Sequence, residues 1–188
     1  MSPTSSMVVE TLWSSGEPVY AVLDGARDER VFLMARASGL PYACLYAGAI
    51  PHELAEVAPY LVALERGHPF VEELLEDGWG RSWGVFATGR CDLESLRRHL
   101  RRFMRVKLED GRTLVFRFYD PRVLRLYLPT CTAAELATFF GPISRVVMED
   151  SDPSRVVVFA ESGGAWSASK VALPSRAEHV AVESPGQM

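Results

Sequence analysis

Short apolar runs alternate with amphipathic stretches from about residue 15 to residue 143, and the turns between them are marked by Gly, Pro and Asp. VYAVLD (19–24) has the pattern of a buried strand, stopped by Asp24-Gly25. Asp28 then begins a helix through Ala37. Gly39-Leu40-Pro41 ends it, since Gly takes the C-terminal stop and Pro cannot continue a helix. YACLYA (42–47) predicts a second strand. Strand, helix and strand within ~30 residues predict a parallel crossover unit. HELAEV after Pro51 predicts a short helix, YLVAL (60–64) a strand, Pro69 to Asp77 a helix closed by Gly78, and WGVFAT (83–88) another strand.

Asp92 is a good N-cap for a helix over Leu93–Met104, with Leu93, Leu96, Leu100, Phe103 and Met104 on one stripe. VKLED-GR-TLVFRF predicts a hairpin with Asp110-Gly111 at its tip. Helices follow over 122–127 and 133–140, the second opened by a capping box of Thr132 with Glu135. ISRVVME, RVVVFAE and WSASKVAL read as three further strands. The expected class is α/β: interleaved strands and helices in a main domain (15–143), then a small β-rich appendage (144–173). Residues 1–6 read as a disordered tail leading into a short helix that completes an N-terminal segment, 1–14. Residues 174–188 are rich in Pro and Ser and also read as disordered.

The 188 residues are 48% apolar, enough to bury a core. The apolar runs are far shorter than the ~20 residues a membrane helix needs. The N-terminus lacks the basic and apolar regions of a signal peptide, so the expected compartment is cytoplasmic, with no membrane partner. Cys44, Cys91 and Cys131 are too few and too far apart for a disulfide framework or a zinc clip. Net charge is −4, yet residues 97–125 hold ten Lys/Arg against three Asp/Glu. The flanks on both sides are acidic. A basic middle between acidic flanks is the main electrostatic feature of the chain.

GRSWG (80–84) matches the G-x-S-x-G elbow, but that elbow needs a strand before the serine and a helix after it. Here the predicted order is reversed, so Ser82 reads as part of a helix-to-strand turn. His52, His68, His99 and His179 are scattered, with no metal-ligating spacing. No phosphate-binding glycine loop occurs, and no cofactor is expected. Asp24 and Asp120, with the nearby Asp28 and Glu29, are the acidic residues to weigh as an acid/base or Mg²⁺ set, and a small enzyme using Asp24 or Asp120 as acid/base is one alternative reading. Another is nucleic-acid binding through the basic 97–107 segment, with Arg97, Arg98, Arg101 and Arg102 on the polar side of one helix. The acidic overall charge and the absence of a recognition signature count against it. The same arginines, with Arg125, are candidates for binding an acidic partner protein.

FRFYDPRVLRLYLPT (116–130) gathers Arg117, Asp120, Arg122 and Arg125 at one corner. In a strand, Arg117 would point away from Phe116 and Phe118. Asp120 precedes a proline, which favours extended geometry and an N-cap role, and it can take an arginine fork from Arg117 or Arg122. The corner therefore reads as a structural joint between hairpin and helix.

Further segments appear in matching order: YAVLDGARD (20–28), LPYACLYAG (40–48), APYLVAL (58–64), GWGRSWGVF (78–86), LRRHLRRFMRVKLEDGR (96–112) and FFGP (139–142). With the corner, they resemble a bacterial domain-of-unknown-function family whose members act as type VI secretion effector chaperones, also called adaptors. The resemblance spans about 18–143. It implies a non-catalytic protein that binds a toxic effector in the cytoplasm and helps load it onto a VgrG spike or PAAR tip protein. The residues here that match the family's characteristic positions are Asp24, Trp79, Trp83, Gly84, Arg117, Tyr119, Asp120 and Arg122. The resemblance implies a scaffold role for them and supplies no catalytic residues.

Overall fold

The computed structural model describes residues 1–107 and 110–174. Among these, a seven-stranded sheet forms the middle layer, in the order β2-β3-β1-β4-β7-β8-β9. Its strands are β1 (Val19–Asp24), β2 (Tyr42–Cys44), β3 (Pro59–Leu64), β4 (Gly84–Thr88), β7 (Arg145–Glu149), β8 (Arg155–Ser162) and β9 (Ala165–Ala172). Every neighbouring pair runs antiparallel. β5 (Arg105–Lys107) and β6 (Thr113–Val115) form a separate antiparallel ribbon.

Side-chain alternation splits the core in two. Val19, Ala21 and Leu23 of β1 pack with Val8 and Leu12 of α1 (Pro3–Trp13), Val31 of α2 (Glu29–Ala37) and Leu74 of α4 (Pro69–Gly78). Tyr20 and Val22 face the opposite layer. There they meet Leu96 and Leu100 of α5 (Leu93–Arg101), Leu124 of α6 (Pro121–Tyr127) and Phe140 of α7 (Ala133–Phe140). The short α3 (His52–Glu56) buries none of its residues. The result is an α/β fold with helices on both faces of an antiparallel sheet.

The caps read from sequence are present. Asp28, Asp92 and Asp120 accept backbone N–H groups at the starts of α2, α5 and α6, and Thr132 with Glu135 closes a capping box on α7. The predicted crossover is corrected. β1 and β2 do run in the same direction, but β3 lies between them and pairs antiparallel with both. The apolar β3 is buried on both faces, which suits an interior position, while the three-residue β2 is half-exposed and takes the edge.

Other boundaries also move. Residues 1–6 are no free tail: Ser2 caps α1, which starts at Pro3 and buries Ser5, Val8, Val9 and Leu12. β2 stops at Cys44 rather than Ala47, and α5 stops at Arg101 rather than Met104. Arg117 is not in a strand, because β6 ends at Val115. The chain turns at 117–120 as the Asp120 N–H donates to the Arg117 carbonyl at 3.0 Å. This turn sends Phe118 and Tyr119 into the core, where each is almost fully buried. The β-rich segment 144–173 continues the main sheet, since β7 pairs with β4. The disorder expected for 174–188 lies, after Pro174, outside the described residues.

Candidate functional site

The antiparallel register brings Asp24, Gly84 and Glu149 to one end of the sheet, because Leu23 pairs with Gly84 and Phe86 with Val147. Seven of the eight residues singled out from the sequence assemble there. Asp24 is only 1% exposed. Its carboxylate accepts the Ala26 N–H at 3.1 Å and a hydrogen bond from the Arg117 guanidinium. That bond raises the Arg117 pKa further above its ordinary value. The Trp83 carbonyl accepts the Asp24 N–H at 2.8 Å. Gly84 allows the close approach of β4 to β1: a Cβ there would lie 2.3 Å from the Val22 carbonyl oxygen.

Asp120 forms the second pair. Its Oδ1 accepts the Arg122 N–H at 2.9 Å, capping α6, and the Arg122 side chain forks onto both oxygens at 2.6–3.2 Å. Burial pushes the Asp120 carboxyl up, but the Arg122 hydrogen bonds outweigh it and hold the carboxyl below its ordinary range. Tyr119 lies between the pairs, and burial raises its pKa strongly. Asp24 and Asp120 thus each bind their own arginine: the two arginines of the corner divide between two acids, Arg117 to Asp24 and Arg122 to Asp120.

Trp79 stands slightly apart. Its indole N–H donates to the Pro153 carbonyl at 2.8 Å. Trp83 is buried under the Arg30 guanidinium, 4.8 Å from the ring centroid. The turn between these tryptophans is held by Glu149, which accepts from Gly80 N–H at 2.6 Å, Ser82 N–H at 3.1 Å and Ser82 Oγ at 3.0 Å. Burial nonetheless keeps the Glu149 pKa raised. Ser82 has φ +58° and sits between α4 and β4, the reverse of a nucleophile elbow.

The candidate partner-binding arginines do not form one patch. Arg97 donates to the Cys44 carbonyl at 2.9 Å and Arg98 to Ser95 Oγ at 3.2 Å. Arg101 borders an apolar groove of about 380 Å3 lined by Leu45, Ile50, Leu54 and Met104. Arg102 donates to His99 Nδ1 at 2.6 Å, while His99 Nε2 donates to the Phe139 carbonyl at 2.6 Å, a pattern that fixes a neutral imidazole. Burial keeps His99 below its ordinary pKa. Arg125 lies elsewhere, donating to the Glu149 carbonyl at 2.6 Å beside Asp150. Asp150 in turn accepts from Lys170 Nζ at 2.8 Å, the contact chiefly responsible for its lowered pKa.

Glu149, Asp150 and Lys170 were missed by the sequence reading. An acidic pair closing a strand is a weak signal, and nothing local connects it to Ser82 or Arg125. The three cysteines are free and half-buried. Among the described residues, no cluster of His, Cys, Asp and Glu is arranged to hold a metal ion, and no helix is long and apolar enough to cross a membrane.

The family model described as "Domain of unknown function (DUF4123)" matches residues 19–138, just under two thirds of the chain. The chain belongs to the DUF4123 family. No curated protein and no solved structure matches it. The family segment runs from β1 into α7, so it contains Asp24, both tryptophans and the whole Arg117–Arg122 corner. α1 and β7–β9 flank that segment in sequence but pack directly on it. Arg145 of β7 joins the two flanks, donating to Ser14 Oγ and the Leu12 carbonyl at 2.8 Å each and to Thr88 Oγ1 at 3.1 Å.

Proposed function

We propose that this protein is a non-catalytic adaptor of type VI secretion. It binds a cognate toxic effector in the cytoplasm and helps load it onto a VgrG or PAAR spike protein. The observation that carries this reading is the DUF4123 match over 19–138, the span in which the sequence resembles effector adaptors. The chemistry of the sheet end supports it. Asp24 and Asp120, the acids best placed for an acid/base role, are buried and each bonded to an arginine. For Asp120, the Arg122 hydrogen bonds hold the carboxyl below its ordinary range, which makes it a weak proton acceptor. What the surface offers instead is sorted charge, with cationic side chains outward over buried carboxylates, suited to steering a polypeptide partner.

The test is deletion and recovery in the producing cell. The tagged protein should co-purify with one secreted toxin in a stoichiometric complex. Deleting it should remove that toxin from the spike fraction while other secreted cargo is unaffected. Unchanged loading of every cargo after deletion would overturn the adaptor reading. A turnover reaction abolished by Asp24→Asn or Asp120→Asn in folded protein would establish the enzymatic alternative.

A further inference from the structure

We propose that the outer edge of β9, with the groove beside it, receives an extended acidic and apolar segment of the cargo polypeptide as an eighth strand of the sheet. This rests on the adaptor reading and gives it a surface and a partner chemistry.

β9 pairs with β8 residue for residue along its whole length, from Ser162↔Ala165 to Arg155↔Ala172. It is the last strand in the sheet order, and among the described residues nothing pairs with its other side. Every second amide and carbonyl of such a strand points outward as an unfilled template. Proteins normally guard these edges with proline, bulges, several charges or short length. β9 has eight residues, unbroken register, no proline and one charged residue, Lys170. It is also longer than the ~5–6 residues of a common strand.

The groove beside this edge specifies the side chains. It has a volume of about 500 Å3 between α6 and the surface of β7–β9, and its walls include Arg122, Arg125, Leu126, Phe159, Ala168 and Lys170. Leu126 is 76% exposed, the most exposed large apolar side chain described. Three cations line the groove against one carboxylate, Asp150; Arg122 also holds Asp120 and Lys170 holds Asp150, but both side chains stay about half exposed to a further partner. A strand added to β9 would turn alternate side chains into it. Acidic groups would meet Arg122 and Lys170, and apolar groups would meet Leu126 and Phe159. A second copy of this chain is the poorer fit, because pairing two β9 edges would bring two cation-rich rims together. β8 and β9 also lie outside the family-matched segment, where a cargo-specific surface can vary without disturbing the shared scaffold.

The test uses the full chain and short synthetic peptides with serine at every second position and, at the positions between that share one face, valine alternating with glutamate, lysine or serine. The valine–glutamate peptide should bind best, lose affinity as salt rises, and slow amide exchange at 166–171. Lys170→Glu and, separately, the surface change Leu126→Glu should each weaken it roughly tenfold. Because Lys170 also pairs with Asp150, the largely exposed Leu126 site keeps the test independent of any loss of folding. Equal binding of the acidic and basic peptides, protection elsewhere with β9 unaffected, or concentration-dependent dimerisation through β9 without peptide would each overturn the proposal. If both variants recover the native cargo at wild-type level, this site falls and the adaptor reading stands. If the wild type recovers no cargo, the adaptor reading falls with it.

Discussion

Asp120→Ala removes two interactions from one buried oxygen pair. The first is the cap on α6, a 2.9 Å hydrogen bond to the Arg122 N–H, and losing an aspartate cap costs about 1 kcal/mol. The second is the fork from Arg122. Breaking a fully buried ion pair costs about 3–5 kcal/mol, mostly because the remaining charge is stranded. Here the stranded partner would be Arg122, whose side chain is 50% exposed, so water takes up much of that charge. The fork then contributes nearer the surface value, about 1 kcal/mol. A total of about 2 kcal/mol corresponds to a fall in melting temperature of roughly 4–8 °C for a chain of this size. Asp120→Asn keeps the capping oxygen and loses only the charge, so it should fall about half as far. Thermal unfolding followed by circular dichroism reads both. A wild-type melting temperature in Asp120→Ala would refute the structural role of the corner. Equal losses in the two variants would refute the division between cap and fork.

Arg117→Ala should cost more than Asp24→Asn, about 3 against about 1 kcal/mol in urea unfolding, because only the first strands a buried carboxylate; the opposite order would contradict the burial assigned to Asp24. Gly84→Ala should destabilise by more than 2 kcal/mol or prevent folding, since its Cβ would press on the backbone of Val22 and Leu23; a melting temperature within 2 °C of wild type would show that β1 and β4 can part there. Ser82→Ala should lose about 1 kcal/mol, the worth of one hydrogen bond to Glu149, with no other measured property changed. Buried neutral His99 has a folded pKa below its ordinary 6.5, so its contribution is fully present above that value and is lost as pH falls through it. Chemical unfolding at a series of pH values should therefore show stability declining below about 6.5, and that component should vanish in His99→Gln.

Local chemistry made much of this fold legible. Helix starts were written in Asp28, Asp92, Asp120 and the Thr132–Glu135 box, because a cap is made by residues two or three positions apart. Strand existence followed from apolar runs. Strand partnership did not, because periodicity within VYAVLD says nothing about which segment lies beside it. β3, the last of the first three strands in sequence, inserts between the other two. The start of α1 was hidden by a Ser- and Thr-rich composition that reads as tail until Ser2 is seen as a cap. At the candidate site, the Asp120–Arg122 pair was visible two residues apart. Asp24 and Arg117 are 93 residues apart in sequence, and the Glu149, Asp150 and Lys170 contacts also depend on long-range pairing.

The pairing of β4 with β7 also bears on how the molecule is made. Phe86–Thr88 finds its second neighbour in Arg145–Val147, after most of the opposite helical layer has been synthesised. On the ribosome, the first four strands must wait with a bare central rim, a time when nascent chains are prone to stick to one another. Shortening the gene after the family segment would make that interval permanent. Such a fragment should accumulate as inclusion bodies, although it retains every residue by which the family is recognised.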